Sequence, residues 1–415
     1  MEKICVMGMG YIGLPTACML ANNGYSVIGV DVDNDIINKL NSGQLHIEEP
    51  DLEETFLKAF NTKKLKVSSL VEKSDIYIIA VPTPVNKDNK ADLSYVISAS
   101  EMIKDYIEKG NLVILESTSP PGTTRNIVGE IISKSTGLEV GKDFYLAFCP
   151  ERVLPGKIIY ELVNNKRVIG GINENSSELA RKVYNSFVKG DIFITTLETS
   201  EFVKLAENTY RDVNIALANE FAEICRDYNI NVWDMIRFAN MHPRVNILNP
   251  GPGVGGHCIA IDPWFILENI DKKDTLIEKS REINNQRPII ISEKIFNIIK
   301  DIRQPKVTIF GITYKENVGD TRESPALAII DKLNKKGIEV SVFDPVVKNY
   351  KGKVLNLEEA LKDSDMLLLF VGHEEFKNIS LDKIASLMRN KNIFDTRNFY
   401  NSNLLENSGF KYFGI

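Results

Sequence analysis

At 415 residues the chain is too long for one ordinary core, and two or three domains are expected. Its 43% apolar and 26% charged residues are those of a soluble globular protein, and a net charge of −6 argues against a nucleic-acid or anionic-membrane partner. Five cysteines without a C-x-x-C pair give no disulfide framework. No apolar run reaches the length of a membrane span, and the start, Glu2-Lys3-Ile4-Cys5-Val6, reads as a strand and not as a signal peptide, so a cytoplasmic protein is expected.

The first strand runs into Gly8-Met9-Gly10-Tyr11-Ile12-Gly13, followed by a helical stretch over 14–23 and a second strand over 26–30 that ends in Asp31. This is G-x-G-x-x-G between strand and helix, with an acid eighteen residues after the last glycine. Gly8, Gly10 and Gly13 would let the backbone approach a pyrophosphate at the helix N-terminus. Asp31 would accept from a ribose 2′-hydroxyl and repel a 2′-phosphate, which predicts NAD over NADP. Apolar runs over 76–81, 112–115 and 144–148 read as further parallel strands covered on both faces. Ligands bind at the C-terminal ends of such strands, so Thr83, Thr118, Glu151 and Arg152 are candidates to line a site.

The middle of the chain reads as helix from about residue 200 to about 229. Phe202, Leu205, Ala206, Val213, Ala216, Leu217, Phe221 and Ile224 form the expected core stripe. Lys204, Asn208 and Arg211 stand in another row, which taken alone reads as a solvated face. A second long helix is predicted from about 275 to about 300, interrupted or kinked near Pro288. Helices of this length between two sheet domains serve as a strut or a dimer interface.

Between these helices lies Asn249-Pro250-Gly251-Pro252-Gly253-Val254-Gly255-Gly256-His257-Cys258, with Asp262 four residues on. Four glycines within residues 251–256 leave a backbone that can lie close against a ligand. Backbone donors around a thiol there would favour the thiolate and stabilise an oxyanion formed beside it. The alternative is a buried cysteine in a turn. Beyond residue 300 a strand, a glycine (Gly311), a helix and a second strand ending in Asp344 repeat the first plan. Ser364-Asp365 before an apolar run echoes Ser74-Asp75. This copy lacks the glycine fingerprint, and Lys315 and Arg322 could grip phosphates by charge. The fold expected is α/β, with two Rossmann-like doubly wound parallel-sheet domains joined by a central helical domain with a long helix. The regions expected are 1–197, 198–300 and 301–415.

The chain resembles the UDP-glucose/GDP-mannose dehydrogenase family over its full length. The resemblance rests on Cys149-Pro150-Glu151-Arg152-Val153-Leu154-Pro155-Gly156, Glu207-Asn208-Thr209-Tyr210-Arg211-Asp212-Val213-Asn214, His242-Pro243-Arg244-Val245-Asn246 and the run from Gly253 to Cys258. It implies oxidation of a sugar-nucleotide primary alcohol to a carboxylate with two NAD in succession. Cys258 resembles the catalytic thiol, Lys204 and Asn208 the oxyanion partners, Asp262 an acid beside them. Glu151 and Thr118 match positions near the hydrolytic water. Gly8, Gly10, Tyr11, Ile12, Gly13, Asp31, Thr83 and Thr118 match NAD contacts. Arg152, Val153, Lys204, Asn208, Arg211, His242, Arg244, Gly255, Tyr314, Lys315 and Arg322 match positions that hold a UDP-sugar, with His242 and Arg244 able to reach across from a second subunit. A homodimer or a dimer-based tetramer is implied, with no nucleic acid, membrane or metal. Three other readings stand beside it: a two-electron NAD dehydrogenase in which Cys258 has no role, a nucleotide-binding protein without catalysis, and a zinc site on His257 and Cys258, for which too few ligands are in view.

Overall fold

The structure, a computed structural model, describes residues 2–256, 258–347, 350, 352 and 354–415. It divides into two compact units, Met1–Glu207 with Trp264–Asp271, and Asn208–Pro263 with Lys272–Ile415. Among the described residues no helix is long and apolar enough to cross a membrane.

The first unit is built on eight strands: β1 (Lys3–Met7), β2 (Ser26–Val30), β3 (Leu65–Ser68), β4 (Ile76–Ile79), β5 (Leu112–Leu115), β6 (Tyr145–Phe148), β7 (Arg167–Gly171) and β8 (Ile192–Thr196). They lie in the order β3-β2-β1-β4-β5-β6-β7-β8. The period-two alternation of a strand divides the central side chains between two cores. Ile4, Val6, Ile76, Ile78, Leu112 and Ile114 face one core, and Cys5, Met7, Tyr77, Ile79, Val113 and Leu115 face the other. This is why these strands are apolar without interruption. The neighbours pair in parallel with one exception: β6 and β7 run antiparallel through Ala147 and Gly171. Strands β3, β7 and β8 carry polar or exposed positions and do not stand out as apolar runs.

The second unit holds a five-stranded sheet, all parallel, of β9 (Lys306–Phe310), β10 (Glu339–Phe343), β11 (Met366–Leu369), β12 (Asn392–Asp395) and β13 (Lys411–Gly414), in the order β10-β9-β11-β12-β13. The repeat seen in the sequence extends to single hydrogen bonds. Asp31 accepts from Met9 N at 2.8 Å and Asp33 N at 3.0 Å, while Asp344 accepts from Ile312 N at 2.7 Å and Val346 N at 3.1 Å. Asp75 accepts from Lys3 N at 2.8 Å, and Asp365 from Lys306 N at 2.9 Å. Gly8 and Gly311 share positive φ, 93° and 82°. The copies differ where a ligand would enter. Asp31 is half-buried, whereas Asp344 is sealed against the fully buried His373, whose Nε2 lies 3.3 Å from it.

Two long helices, Leu197–Asp227 and Leu276–Ile299, differ from expectation in two ways. Of the interruption or kink expected near Pro288, the interruption does not occur: the proline lies inside one helix. Its missing N–H is offset by side-chain bonds on either side. Arg281 and Asn284 bind Asp212 at 2.5 and 2.8 Å, and Arg287 and Lys294 bind Glu223 at 2.6 and 2.8 Å. The expected core stripe is also divided: Leu205 and Ala216 are buried, but Phe202, Leu217 and Ile224 are exposed, as is Tyr210. The face that meets the neighbouring helix is polar, carrying Asp212, Asn219 and Glu223, so part of the apolar face is left toward solvent.

Gly8 tests the logic of the first unit most simply. A Cβ there would stand 2.6 Å from Ala80 O, at a φ that side chains rarely adopt. Gly8→Ala is expected to cost about 1–3 kcal/mol, read as a lower denaturation midpoint together with weaker NAD binding.

Candidate functional site

In the first unit the fingerprint glycines each have a distinct reason. A Cβ on Gly13 would collide with Gly8 O, so the loop closes only without one. Gly10 has nothing within 4 Å of where a Cβ would stand, which leaves room for a ligand against the backbone. The helix Gly13–Asn22 that follows begins with no side-chain cap at Ile12 and no acid in its first turn. Its N-terminal donors are therefore not taken by a capping side chain, as an anion-binding helix start requires. Tyr11 is exposed beside it. Asp31 both ties the loop through Met9 N and stands at the end of β2, where a ribose would lie. His46, which the sequence reading passed over, feels the charge of Asp31, but burial outweighs it and holds the imidazole below the usual range. These features fit a dinucleotide.

The loops after β4 and β5 are joined by Thr83 Oγ1, which donates to Thr118 O at 2.6 Å. Beyond β6, Glu151 is buried, with Oε1 accepting from Arg152 N at 2.7 Å and Oε2 from Arg167 Nη2 at 3.0 Å. Arg152 pairs with Glu207 at 2.6 Å, and the half-buried Val153 follows it. Glu49 holds the far side of this loop, accepting from Gly156 N at 3.0 Å and Ile158 N at 2.9 Å. Arg167 and Glu49 lie far from the motif in sequence, and nothing in their local pattern marks them.

In the second unit the glycine loop is anchored at its base. Gly251 N donates to Asn219 Oδ1 at 2.8 Å, Gly251 O accepts from Arg287 Nε at 3.1 Å, and Arg397 Nη1 stands 3.0 Å from where a Cβ would be. Gly255 and Gly256 lie flat on Tyr314, whose atoms stand 3.0 Å from a Cβ built on either. Cys258 is exposed, and its carbonyl accepts from Ile261 N at 3.0 Å and Asp262 N at 2.9 Å, which opens the short helix Asp262–Leu267. The buried Asp262 accepts from Asn208 Nδ2 at 2.5 Å, and Arg211 donates to Asn208 Oδ1. The reading of Lys204, Asn208 and Arg211 as a solvated row is thus corrected for Asn208, which is 1% exposed; Arg211 is exposed and Lys204, one turn before Asn208, is half-buried. Asn208, Arg211 and Asp262 are brought together by the fold, as are Gly255 and Tyr314.

The loop that carries Lys315 and Arg322 packs on Gly255 through Tyr314, Glu323 and Pro325. Arg322 is engaged with Asp320 at 2.7 Å, and Lys315 O accepts from Thr313 Oγ1 at 2.7 Å. His242 and Arg244 are exposed, 3.4 Å from each other. His257 lies outside the described residues, and among the described residues no group of three His, Cys, Asp or Glu is placed to hold a metal. Arg287 and Arg397 were not anticipated, although an arginine directly beyond the end of β12 is a position that strand-end logic could have found.

Family models, curated relatives and solved structures match the chain over nearly its whole length. Models of the UDP-glucose/GDP-mannose dehydrogenase family match over residues 2–188 (NAD binding domain), 198–286 (central domain) and 308–402 (UDP binding domain). A UDP-N-acetyl-D-mannosamine dehydrogenase of Methanococcus vannielii is 51% identical over 99% of this chain and 96% of its own. An NDP-N-acetyl-D-galactosaminuronic acid dehydrogenase of Ralstonia nicotianae is 40% identical over 97% of each. The solved structure of the UDP-D-ManNAc dehydrogenase from Pyrococcus horikoshii superposes with a TM-score of 0.93 at 41% identity, covering 100% of this chain and 99% of that one. With all three of its domain models matched in order, the chain belongs to the UDP-glucose/GDP-mannose dehydrogenase family and is an NAD-dependent dehydrogenase.

Proposed function

We propose that the protein oxidises the C6 alcohol of UDP-N-acetyl-D-mannosamine to the carboxylate of UDP-N-acetyl-D-mannosaminuronate through a covalent adduct on Cys258. The observation that carries this is the thiol's setting: an exposed Cys258 at the end of an anchored glycine loop, with Asp262 and Asn208 bonded to each other one helical turn beyond it. The substrate is argued from likeness to the Methanococcus and Pyrococcus proteins. The residue range 1–197 binds NAD, 198–300 carries the thiol loop and the dimer contact, and 301–415 binds the uridine diphosphate.

NAD, when bound, supplies the hydride acceptor for both oxidations. Gly8, Gly10, Tyr11, Ile12 and Gly13 hold its pyrophosphate, Asp31 a ribose, and Thr83 and Thr118 line the strand ends beyond. Lys204 and Asp262 take the proton of the C6 hydroxyl, through water where needed, as the hydride leaves. Cys258 sulfur then bonds the aldehyde carbon, giving a thiohemiacetal whose oxygen is stabilised by Lys204 and Asn208. Loss of a second hydride and the hydroxyl proton leaves a thioester. Water, deprotonated by Glu151 with Thr118 nearby, bonds the acyl carbon, the C–S bond breaks, and Cys258 departs as thiolate. The covalent bond keeps the half-oxidised sugar in place while the reduced cofactor is exchanged. Arg152, Val153, Arg211, Gly255, Tyr314, Lys315 and Arg322 hold the nucleotide sugar, and His242 and Arg244 reach it from a second subunit. The exposed Phe202, Tyr210, Leu217 and Ile224, recurring every seven or eight residues on one helix, support a homodimer, alone or within a tetramer. A cytoplasmic location completes the reading.

Likeness to the Ralstonia protein favours one second reading, another UDP-N-acetylhexosamine as substrate, with UDP-glucose a further candidate. Purified enzyme with excess NAD and each of UDP-N-acetylmannosamine, UDP-N-acetylglucosamine and UDP-glucose decides between them. About two NADH per sugar nucleotide, with UDP-N-acetylmannosamine fastest, is expected. About one NADH per sugar would mean an ordinary two-electron dehydrogenase, and no turnover a binding protein. Asp31→Asn is expected to lower the NAD over NADP preference in kcat/KM about tenfold, ~1.4 kcal/mol. Unchanged selectivity would remove Asp31 from the ribose site.

A further inference from the structure

Behind Glu151 the first unit buries a set of charged and polar groups that the proposed chemistry does not yet use. Glu116, directly after β5, is 3% exposed and accepts from Tyr184 Oη at 2.6 Å. The Tyr184 ring lies under the guanidinium of Arg167, 4.8 Å from ring centre to Arg167 Cζ. Arg167, 4% exposed, gives one nitrogen to Glu151 at 3.0 Å and another to Cys149 Sγ at 3.6 Å. Thr16, on the helix that opens at the glycine fingerprint, completes the surroundings of Glu116. One buried cation thus stands among two carboxyl groups, paired with Glu151 and acting on Glu116 through its charge alone, and a buried charge without an opposite partner is expensive. The carboxyl without the direct pair therefore keeps its proton to higher pH. Glu151 has the direct pair with Arg167. Glu116 has a neutral phenol instead, and its Oε2 makes no hydrogen bond.

We propose that Glu116 is a positioning residue for the hydrolytic half of the reaction: through Arg167 and Tyr184 it competes with Glu151 for the one buried cation, and so sets how strongly Glu151 draws a proton from the attacking water. This rests on the reading of Glu151 as the group that activates that water. Burial first, and then the charge of Glu151, push the Glu116 carboxyl up to about 7, against the opposing pull of Arg167 and the Tyr184 hydroxyl. The other titratable neighbours do not change state near neutrality: burial pushes the Cys149 thiol up to about 11 and the Tyr184 phenol well above its ordinary value. Below about pH 7 Glu116 is neutral and Arg167 serves Glu151 alone. Above it, the second negative charge draws on Arg167 and repels that of Glu151, which loosens the hold of the cation on the group facing the water. The water proton passes to Glu151, the water oxygen bonds the acyl carbon, and sulfur leaves as thiolate. That step therefore accelerates as pH rises through neutrality.

The test is the decay of the acyl-enzyme, followed by acid quench with excess NAD from about pH 6 to pH 9. Wild-type decay is expected to rise through an ionisation near neutrality. Glu116→Gln, which keeps an oxygen for Tyr184 but never ionises, is expected to lose that rise and to decay about three- to tenfold more slowly at the alkaline end. Tyr184→Phe removes a bond that favours the charged carboxyl and is expected to move the rise to higher pH. An unchanged rise in Glu116→Gln, or a downward move in Tyr184→Phe, overturns the proposal. Wild-type enzyme that forms acid without any acyl-enzyme overturns instead the Cys258 reading on which it rests.

Discussion

A loop of glycines presents a thiol usefully only if something outside the loop holds it, because ordering each residue of such a chain costs about 1–2 kcal/mol of conformational entropy. Here the constraint is a pair of anchors in one compact unit. At the base, Gly251 has its N–H on Asn219 and its carbonyl on Arg287. Beyond the thiol, Asp262 is held by Asn208, which is itself held by Arg211. Between them Gly255 and Gly256 approach Tyr314 to within 3.0 Å of where a Cβ would stand, and a Cβ on Gly255 would also meet Glu323 O at 2.6 Å. The loop is held by its neighbours, and the bareness of its backbone is what permits the close fit.

The anchor at Gly251 depends on buried charge that is paired instead of removed. Asp212 with Arg281, and Glu223 with Arg287 and Lys294, run along the polar face between two long helices and end at Gly251. Apolar residues would stabilise the helix contact as well, but they could not grip a backbone carbonyl and an amide. The first unit uses the same device at its strand ends, where Arg167 lies between Glu151 and the ring of Tyr184. In each case a buried charge holds a neighbouring group in place.

The sequence was most legible where chemistry forces local pattern. Glycines between strand and helix, an acid at the end of β2 and uninterrupted apolar strands each have a single physical cause, and the fold expected from them is the fold observed. The internal repeat was readable from Ser74-Asp75 and Ser364-Asp365, whose carboxylates bind equivalent backbone amides. What escaped reading is what depends on distant partners. Pro288 signalled a break, and the bonds of Arg281, Asn284, Arg287 and Lys294 to the neighbouring helix carried the helix through it. Phe202 and Ile224 looked like core because periodicity marks an apolar face without saying what covers it. Asn208 looked solvated until Asp262, fifty-four residues away, was seen against it.

The account turns on whether the sugar is ever bonded to sulfur. Enzyme quenched in acid during turnover with UDP-N-acetylmannosamine and excess NAD, then digested and weighed, answers this directly. A Cys258 peptide heavier by the acyl sugar nucleotide, and absent from Cys258→Ala, is the predicted result. Full-rate acid formation with that peptide unmodified, and free aldehyde captured in solution by hydroxylamine, would contradict it.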